Sequence, residues 1–310
     1  MKFMLLNPIL EKELRSRMRS WKSSLVISLY LGLLGIIILG YYWMEQKNDW
    51  YNGFGPDVGP QIFILLAIVQ LLLLSLVTPA LTAGVINGER ERQTFDLLIC
   101  TRLSAASIVL HKFLASIGFT VLLIIASLPV FGIVYFFGGV LFSDIGQVFL
   151  VYIVTAVTFG VIGIFCSVLF KRTQISMVVS YLAVLFFLLG TLILALFVRG
   201  IQTQAYPVSA ASYISSLSPL VALMSIFPNQ SQGISFFNNF LNISPTIAGT
   251  AKALIPWKLN FIINGIVSLL LLFITIIMVD PVGRFSWLRR NKGHEQLPRP
   301  LPDEERAISD

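Results

Sequence analysis

A run of charged residues of both signs lies between long apolar stretches in the segment 87–112, NGERERQTFDLLICTRLSAASIVLHK. Carboxylates and guanidinium groups alternate from Glu89 to Arg92, and the apolar patch Phe95, Leu98 and Ile99 follows at helical spacing. Glu89, Arg90, Glu91 and Arg92 can pair with opposite charges on a protein partner, which fixes register more than affinity. An interfacial helix that contacts only lipid headgroups is an equally good interpretation of this pattern.

Residue types that catalyse reactions or bind cofactors are scarce elsewhere. The two histidines, His111 and His294, belong to no cluster with metal-ligand spacing. The two cysteines, Cys100 and Cys166, sit in a charged connection and an apolar run, so we expect no disulfide. No G-x-x-x-x-G-K-[ST] run that could cradle ATP phosphates occurs. We therefore expect no catalytic, metal or cofactor site on this chain, and no enzyme activity of its own.

The elements that must hold the charged segment are long apolar runs. Of the 310 residues, 56% are hydrophobic and 12% charged, with a mean hydropathy of +0.84. Soluble domains carry about 25% charged residues. Six runs approach or exceed the roughly 20 residues that a spanning helix needs. The predicted spans are 24–43, 61–86, 113–137, 146–170, 175–198 and 259–279. The sequence thus predicts an all-α integral membrane protein with six transmembrane helices over 24–279.

No Asp, Glu, Lys, Arg or His lies well inside these spans. Proton- and ion-coupled carriers place such groups at mid-membrane, because the coupling ion binds there. Their absence argues against a proton antiporter, a redox enzyme and an intramembrane protease. Any uphill transport by this chain would need energy supplied from outside it.

The distribution of positive charge predicts the orientation. Eighteen Lys and Arg residues fall in the N-terminal segment, the connection after span two, the turn after span four and the tail, against four on the other side. Positively charged loops stay in the cytoplasm. We expect both termini there, with 280–310 as a cytoplasmic tail that becomes disordered towards its end. Because the Lys and Arg residues lie between apolar segments, where they orient the chain in the bilayer, we expect no nucleic-acid partner.

The segment 199–258 is the longest connection between predicted spans. We interpret it as extracellular, with short re-entrant or surface helices, because it is rich in Ser, Asn, Gln and Pro. Residues 208–227 are uncharged and offer a seventh span as an alternative. Their serine content and Pro219 make insertion weak, and a seventh span would place the basic tail outside.

Two further patterns concern helix surfaces. In the N-terminal segment 1–23, one apolar stripe predicts an amphipathic helix that lies in the headgroup plane. A positively charged segment that only anchors the first span on the cytoplasmic side fits equally well. The stripe consists of Leu10, Leu14, Met18 and Trp21. In span four, small residues recur at a spacing that allows close helix contact, either within the chain or, less favoured, at a subunit interface. These pairs are Ala156 with Gly160 and Gly163 with Ser167.

The run GERERQTFDLLICTRLSAASIVLHKFLAS resembles the signature of ABC-2 type transporter permeases. The matching positions are Glu89, Glu91, Thr94, Leu97, Leu98, Thr101, Leu103, Ser104, Lys112 and Leu114. The sequence departs from the family pattern at Gln93, where Gly is frequent, and at Arg102, where Pro is frequent. The opening NPILEKELRSRMR and the turn Lys171-Arg172-Thr173 are also similar to this family.

The resemblance implies a six-helix half-transporter that pairs with a second permease subunit, as a homodimer or heterodimer. An ABC ATPase subunit, which binds ATP and Mg, would dock beneath each half. Residues 1–22 would form the connecting (elbow) helix and about 89–104 the coupling helix. Within the coupling helix, Thr94 and Arg102 would join the contact, and the turn with Lys171 and Arg172 would add a second one. The family also implies export and a multi-pass protein of the plasma membrane, expected to be a bacterial inner membrane.

Two other functions remain open from the residues alone. A membrane scaffold or sensor that anchors a cytoplasmic complex would need the same spans and basic tail. A membrane-embedded enzyme is disfavoured, since no catalytic constellation is present. For a transporter, the hydroxyls of Ser127, Thr155, Thr158, Ser180 and Tyr181 are weak pointers to a lipid-like or amphipathic cargo.

Overall fold

The computed structural model describes residues 21–48, 58–93, 105–201, 214–227 and 256–279. These ranges are almost entirely helical and contain no strand. A π-helical turn, Phe186–Gly190, joins α6 to α7 without a break. The helices in chain order are α1 Trp21–Asn48, α2 Val58–Thr82, α3 Asn87–Glu91, α4 Ala105–Phe136, α5 Phe142–Leu169, α6 Thr173–Leu185, α7 Thr191–Ile201, α8 Pro219–Met224 and α9 Pro256–Val279.

Six helical segments are long and apolar enough to cross a membrane. They are α1, Gly59–Glu91 (α2 with the following turn and α3), α4, α5, the continuous α6–α7 and α9. This confirms the six predicted spans and the all-α integral membrane class. Predicted and observed limits differ by only a few residues in most spans. The fifth, for example, was predicted at 175–198 and is observed at Thr173–Val198.

Helix α5 forms the centre of the bundle. It packs against α2, α4, α6, α8 and α9, and more than half of its residues are buried. The peripheral α1 packs mainly on α2 and α4, through the buried Tyr30 and Leu34. Because α5 contacts most of the other spans, a displacement of α5 must move much of the bundle.

Hydrogen bonds between spans fix how the apolar helices align. Gln70 of α2 donates from Nε2 to Ser127 Oγ of α4 at 2.8 Å. Tyr152 of α5 donates its hydroxyl to the Ala67 carbonyl of α2 at 3.0 Å. Inside a bilayer, apolar helix surfaces gain little by packing on each other, because lipid tails offer similar van der Waals contacts. Buried polar bonds of this kind therefore select one register among several apolar ones.

The π-helical turn in the fifth span connects it to α8. The extra residue shifts the backbone pattern, so the Thr191 N–H bonds the Phe186 carbonyl. Two carbonyls in this turn also accept hydrogen bonds from side chains. Thr191 Oγ1 donates to the Phe187 carbonyl at 2.9 Å, and Ser218 Oγ donates to the Leu188 carbonyl at 3.0 Å. The Leu188 carbonyl of the π-helical turn thus bonds Ser218, the residue directly before α8.

Helix α8 is a short buried element and not a seventh span. Its six residues, Pro219–Met224, pack against α2, α5, α9 and the π-helical turn. About 20 residues are needed to cross the hydrocarbon core. The stretch 214–227 of the predicted connection 199–258 therefore contains a short buried helix, whereas its predicted extracellular location stays a prediction. The stretches 202–213 and 228–255 lie outside the described ranges.

Both ends of the described chain lie at the end of the bundle that carries α3. Val279 at the end of α9 packs in one apolar cluster with Ile86, Phe113 and Val168. At the other end of the bundle, the Tyr41 hydroxyl of α1 donates to the Gln61 side chain near the start of α2. Since α1 and α2 run antiparallel, Trp21 lies at the α3 end.

Candidate functional site

Helix α3 is held against the bundle by a serine from another span. After α2 ends at Thr82, four turn residues lead into α3. The first N–H groups of a helix lack partners within it. Here the N–H groups of Ile86 and Asn87 donate to Ser167 Oγ of α5, at 2.9 and 3.1 Å. Ser167 therefore acts as the cap of α3, although it lies about 80 residues further along the chain.

Charged residues of α3 in turn cap the end of α5 and the start of α6. Arg90 donates from Nη1 to the Val168 carbonyl in the last turn of α5, at 3.1 Å. The first N–H of α6, that of Thr173, donates to Glu91 Oε1 at 2.8 Å. A cation at a helix C-terminus and a carboxylate at an N-terminus are both favourable against the helix dipole. One short helix thus stabilises both ends of the turn 170–172.

A fourth link joins α3 to the first part of α4. Lys112 Nζ and Glu89 Oε1 are 3.1 Å apart, with 9% of the lysine side chain and 32% of the glutamate side chain exposed. The lysine is thus largely buried, and a buried cation needs a partner because water no longer solvates it. Together these four links connect α3 to three spans, namely α4, α5 and α6.

These links bring the two predicted contact segments together. Glu89, Arg90, Glu91 and Arg92 on α3 adjoin the turn that carries Lys171 and Arg172. Glu91, Arg92, Lys171 and Arg172 are exposed there. We call the surface formed by residues 89–92 and 171–172 the α3 surface. It presents fixed charges of both signs at one end of the bundle.

Several predicted site residues fall outside the described ranges. They are Thr94, Phe95, Leu98, Ile99 and Arg102 of the coupling segment, and Leu10, Leu14 and Met18 of the predicted interfacial helix. So do residues 1–20 and the tail 280–310. Trp21, the last residue of the interfacial stripe, is described at the start of α1 and is 83% exposed.

Gln93 adopts the left-handed backbone conformation directly after α3. Its φ is +58°, a value that favours glycine because it carries no Cβ. The Gln93 N–H bonds the Arg90 carbonyl and closes the end of α3. This geometry gives a physical reason for the glycine that ABC-2 permeases frequently have here. The turn forms in this chain despite the departure from that pattern.

Close backbone packing supports the site from within the bundle. A Cβ on Gly163 of α5 would lie 1.9 Å from Thr82 Oγ1 and 2.8 Å from Thr82 Cβ of α2. Near this crossing, Ser176 Oγ of α6 donates to the Ala83 carbonyl at 2.8 Å. A Cβ on Gly160 would approach Ile117 of α4 to 3.0 Å. The small residues of span four therefore make contacts within the chain, which was the favoured interpretation.

Sequence reasoning did not single out the residues that anchor the α3 surface. In the sequence, Ser167 stands out only as a small residue at helix-contact spacing, and Lys112 only as a position that matches the ABC-2 signature. It also missed two amides near the start of α9. Asn260 donates from Nδ2 to the Ser216 and Leu217 carbonyls at 2.8 and 3.1 Å, and Asn264 donates to Asn260 Oδ1 at 3.0 Å. Polar residues inside an apolar run were the available signal.

Four of the five predicted pathway hydroxyls, all except that of Ser180, donate to backbone carbonyls within the described chain. Thr155 and Thr158 of α5 donate to the carbonyls of Val151 and Val154 in their own helix. Tyr181 donates to the Leu76 carbonyl of α2 at 2.9 Å. Ser127 and Ser180 are fully buried. Most of these hydroxyls therefore have bonding partners within the chain, and the lipid-like or amphipathic cargo stays a prediction.

The described residues contain no group of three or more His, Cys, Asp or Glu side chains that could hold a metal ion. The site, as far as the structure describes it, combines the Lys112–Glu89 ion pair with side-chain caps of three helix ends.

The comparisons with known proteins agree with this architecture. The family model described as ABC-2 family transporter protein matches residues 44–279. The match includes α3, the turn 170–172, and five of the six candidate spans in full. No curated protein matches the chain. With a match over most of its length and six apolar helices in the arrangement described above, the chain belongs to the ABC-2 family of transporter proteins and is a multi-pass membrane permease.

Proposed function

We propose that this chain is the permease subunit of an ATP-binding cassette exporter, and that a separate ATPase subunit docks on the α3 surface. The observation that carries the proposal is the bond between the Thr173 N–H and Glu91 Oε1. It joins the two charged segments into one surface whose parts are 82 residues apart in sequence. A partner that pushes on this surface would bear on three spans together.

The charge of the surface suits a protein partner. Arg92, Lys171 and Arg172 are exposed cations on a short helix and a tight turn, and Glu91 adds a carboxylate beside them. Fixed charges steer association and select the correct partner, because like charges placed against them are strongly unfavourable. A mobile polar loop would lose more side-chain and backbone entropy than this surface when a partner binds, because the loop would first have to become ordered.

The energy source must then reside on the partner. The chain contains no P-loop, and its predicted spans have no ionisable residue well inside them. ATP and Mg would bind to the ATPase, and its nucleotide-dependent closure would shift the permease between two states. A second permease subunit would complete the transporter. The plasma membrane, expected to be a bacterial inner membrane, is the proposed location.

A scaffold or sensor is the second candidate, favoured by the dense internal capping of the α3 surface. A rigid charged platform would anchor a cytoplasmic complex without any movement of the spans. The two functions differ in one respect. A permease must alter the nucleotide turnover of its ATPase, whereas an anchor leaves that turnover unchanged.

The test is ATP turnover by the complex reconstituted in lipid vesicles. Wild-type permease is expected to give vanadate-sensitive hydrolysis that differs from that of the ATPase alone. Reversing two charges, Lys171→Glu with Arg172→Glu, is expected to weaken ATPase association roughly 30-fold, equivalent to about 2 kcal/mol of like-charge repulsion.

The matched control is Lys258→Glu, an exposed cation at the start of α9, whose last residue Val279 lies at the α3 end. It should leave association unchanged. Equal binding by the control and the charge-reversal variant would exclude the α3 surface as the docking site.

A further inference from the structure

Ser167 holds an unusual position between α3 and α5. Its side chain is fully buried in the last full turn of α5, two residues before the helix ends at Leu169. Its oxygen accepts two backbone N–H groups, from Ile86 and Asn87. A serine oxygen has two lone pairs for accepting hydrogen bonds. Both are engaged by the start of α3.

No other cap is available to α3 from its own chain segment. The residue at its N-cap position is Ile86, which has no side-chain hydrogen-bonding group, and no local side chain caps this helix. A hydrogen bond also runs in the opposite direction, because Arg90 of α3 donates to the Val168 carbonyl of α5. The last turn of α5 and the first turn of α3 therefore cap each other.

We propose that Ser167 is a positioning residue for energy coupling: its hydroxyl fastens α3 to α5, so that a displacement of the α3 surface moves the central helix of the bundle. This inference rests on the proposed function. Helix α5 contacts α2, α4, α6, α8 and α9, so it would pass the movement to most other spans. Ser167 touches neither ATP nor cargo, and acts through α3.

The hydroxyl is specifically required because, among the residues that the structure describes, Ser167 is the partner of both N–H groups. Removing it would leave two buried donors without a partner, and buried orphan donors are strongly disfavoured. The start of α3 would then separate from α5 or unwind towards water. We expect the population of detached α3 to rise at least tenfold.

The experiment compares Ser167→Ala with Ser167→Thr in the full permease–ATPase complex in lipid vesicles. Two quantities are measured: ATPase association, and the fraction of ATP turnover that depends on the permease. The alanine variant should keep association within about threefold while permease-dependent turnover falls at least fivefold. The threonine variant retains a hydroxyl and should recover most of it. Amide hydrogen exchange at Ile86 and Asn87 should accelerate at least tenfold in the alanine variant alone.

The control is Ser268→Ala in α9, which removes a buried hydroxyl that bonds only the Gly265 carbonyl of its own helix. It should leave coupling unchanged. Should the alanine variant fail to assemble, Ser167→Cys replaces it, since a thiol accepts hydrogen bonds weakly and should give intermediate values.

Wild-type coupling and exchange in the alanine or cysteine variant would overturn the role of Ser167. So would faster exchange with unchanged coupling, which would leave Ser167 a purely structural cap. A wild-type complex that shows no permease-dependent turnover would instead overturn the proposed function itself.

Discussion

The crossing of α2 and α5 offers the sharpest test of the packing beneath the α3 surface. Substituting Gly163→Ala places a Cβ 1.9 Å from Thr82 Oγ1 and 2.8 Å from Thr82 Cβ. Rotating the threonine side chain would move the hydroxyl away but would leave its Cβ in place. Ordinary contacts of a Cβ begin near 3.4 Å. The two backbones must therefore separate by several tenths of an ångström.

The expected cost follows from these distances. Overpacking a tight core typically costs about 1–3 kcal/mol, and a clash with an atom fixed to the backbone belongs at the upper end. Alanine gains about 1 kcal/mol over glycine in helix propensity, which offsets part of the cost. The net loss should be about 2 kcal/mol. For a chain of 310 residues, that lowers the unfolding midpoint by roughly 3 °C.

Thermal unfolding of the purified permease in detergent measures this effect. Gly146→Ala is the matched control in the same helix, because no heavy atom lies within 4 Å of its added Cβ. The control should be unchanged or slightly more stable. Combining Gly163→Ala with Thr82→Gly removes both clashing atoms, and a double-mutant cycle should show a favourable coupling of at least 1 kcal/mol. Equal midpoints for Gly163→Ala and Gly146→Ala would refute the close crossing.

Three further predictions concern side chains around the bundle. Gln93→Gly should stabilise the permease by about 1 kcal/mol, because φ is +58° there, and a lower unfolding midpoint would contradict this. Glu89→Gln should destabilise it by about 1–3 kcal/mol, because the largely buried Lys112 loses an opposite charge at 3.1 Å. Adding Lys112→Met should recover part of the loss, and no recovery would argue against the pair. Asn260→Ala should accelerate proteolysis within 214–227 severalfold, because two carbonyls near α8 lose their donor, and wild-type cleavage rates would count against that link.

The membrane architecture was predictable because it depends on the length and polarity of long segments. A span requires about 20 apolar residues, and local composition alone reveals such runs. The distinction between a span and α8 was also accessible, since Pro219 and several serines interrupt the apolar residues of 208–227. The π-helical turn was not, because FFLLG carries no signal for an extra residue in a helical turn.

The contacts of the α3 surface were only partly predictable. Alternating charges from Glu89 to Arg92 marked a surface segment, and the family resemblance added Lys171 and Arg172. Their mutual contact depends on how α2, α5 and α6 cross, which sequence spacing does not reveal. Ser167 illustrates the limit: its hydroxyl bonds backbone groups 80 and 81 residues away, and no periodic pattern encodes such a cap.

Photo-crosslinking in intact cells tests the central proposal most directly. A photoreactive amino acid is placed at Arg92 or Lys171 on the α3 surface, or at the control position Phe136, which is 88% exposed at the end of α4. Mass spectrometry should identify a Walker-A ATPase bound to the first two positions and not to the third. Crosslinks to lipid alone at Arg92 and Lys171, or labelling of these positions by a membrane-impermeant reagent from outside the cell, would contradict it.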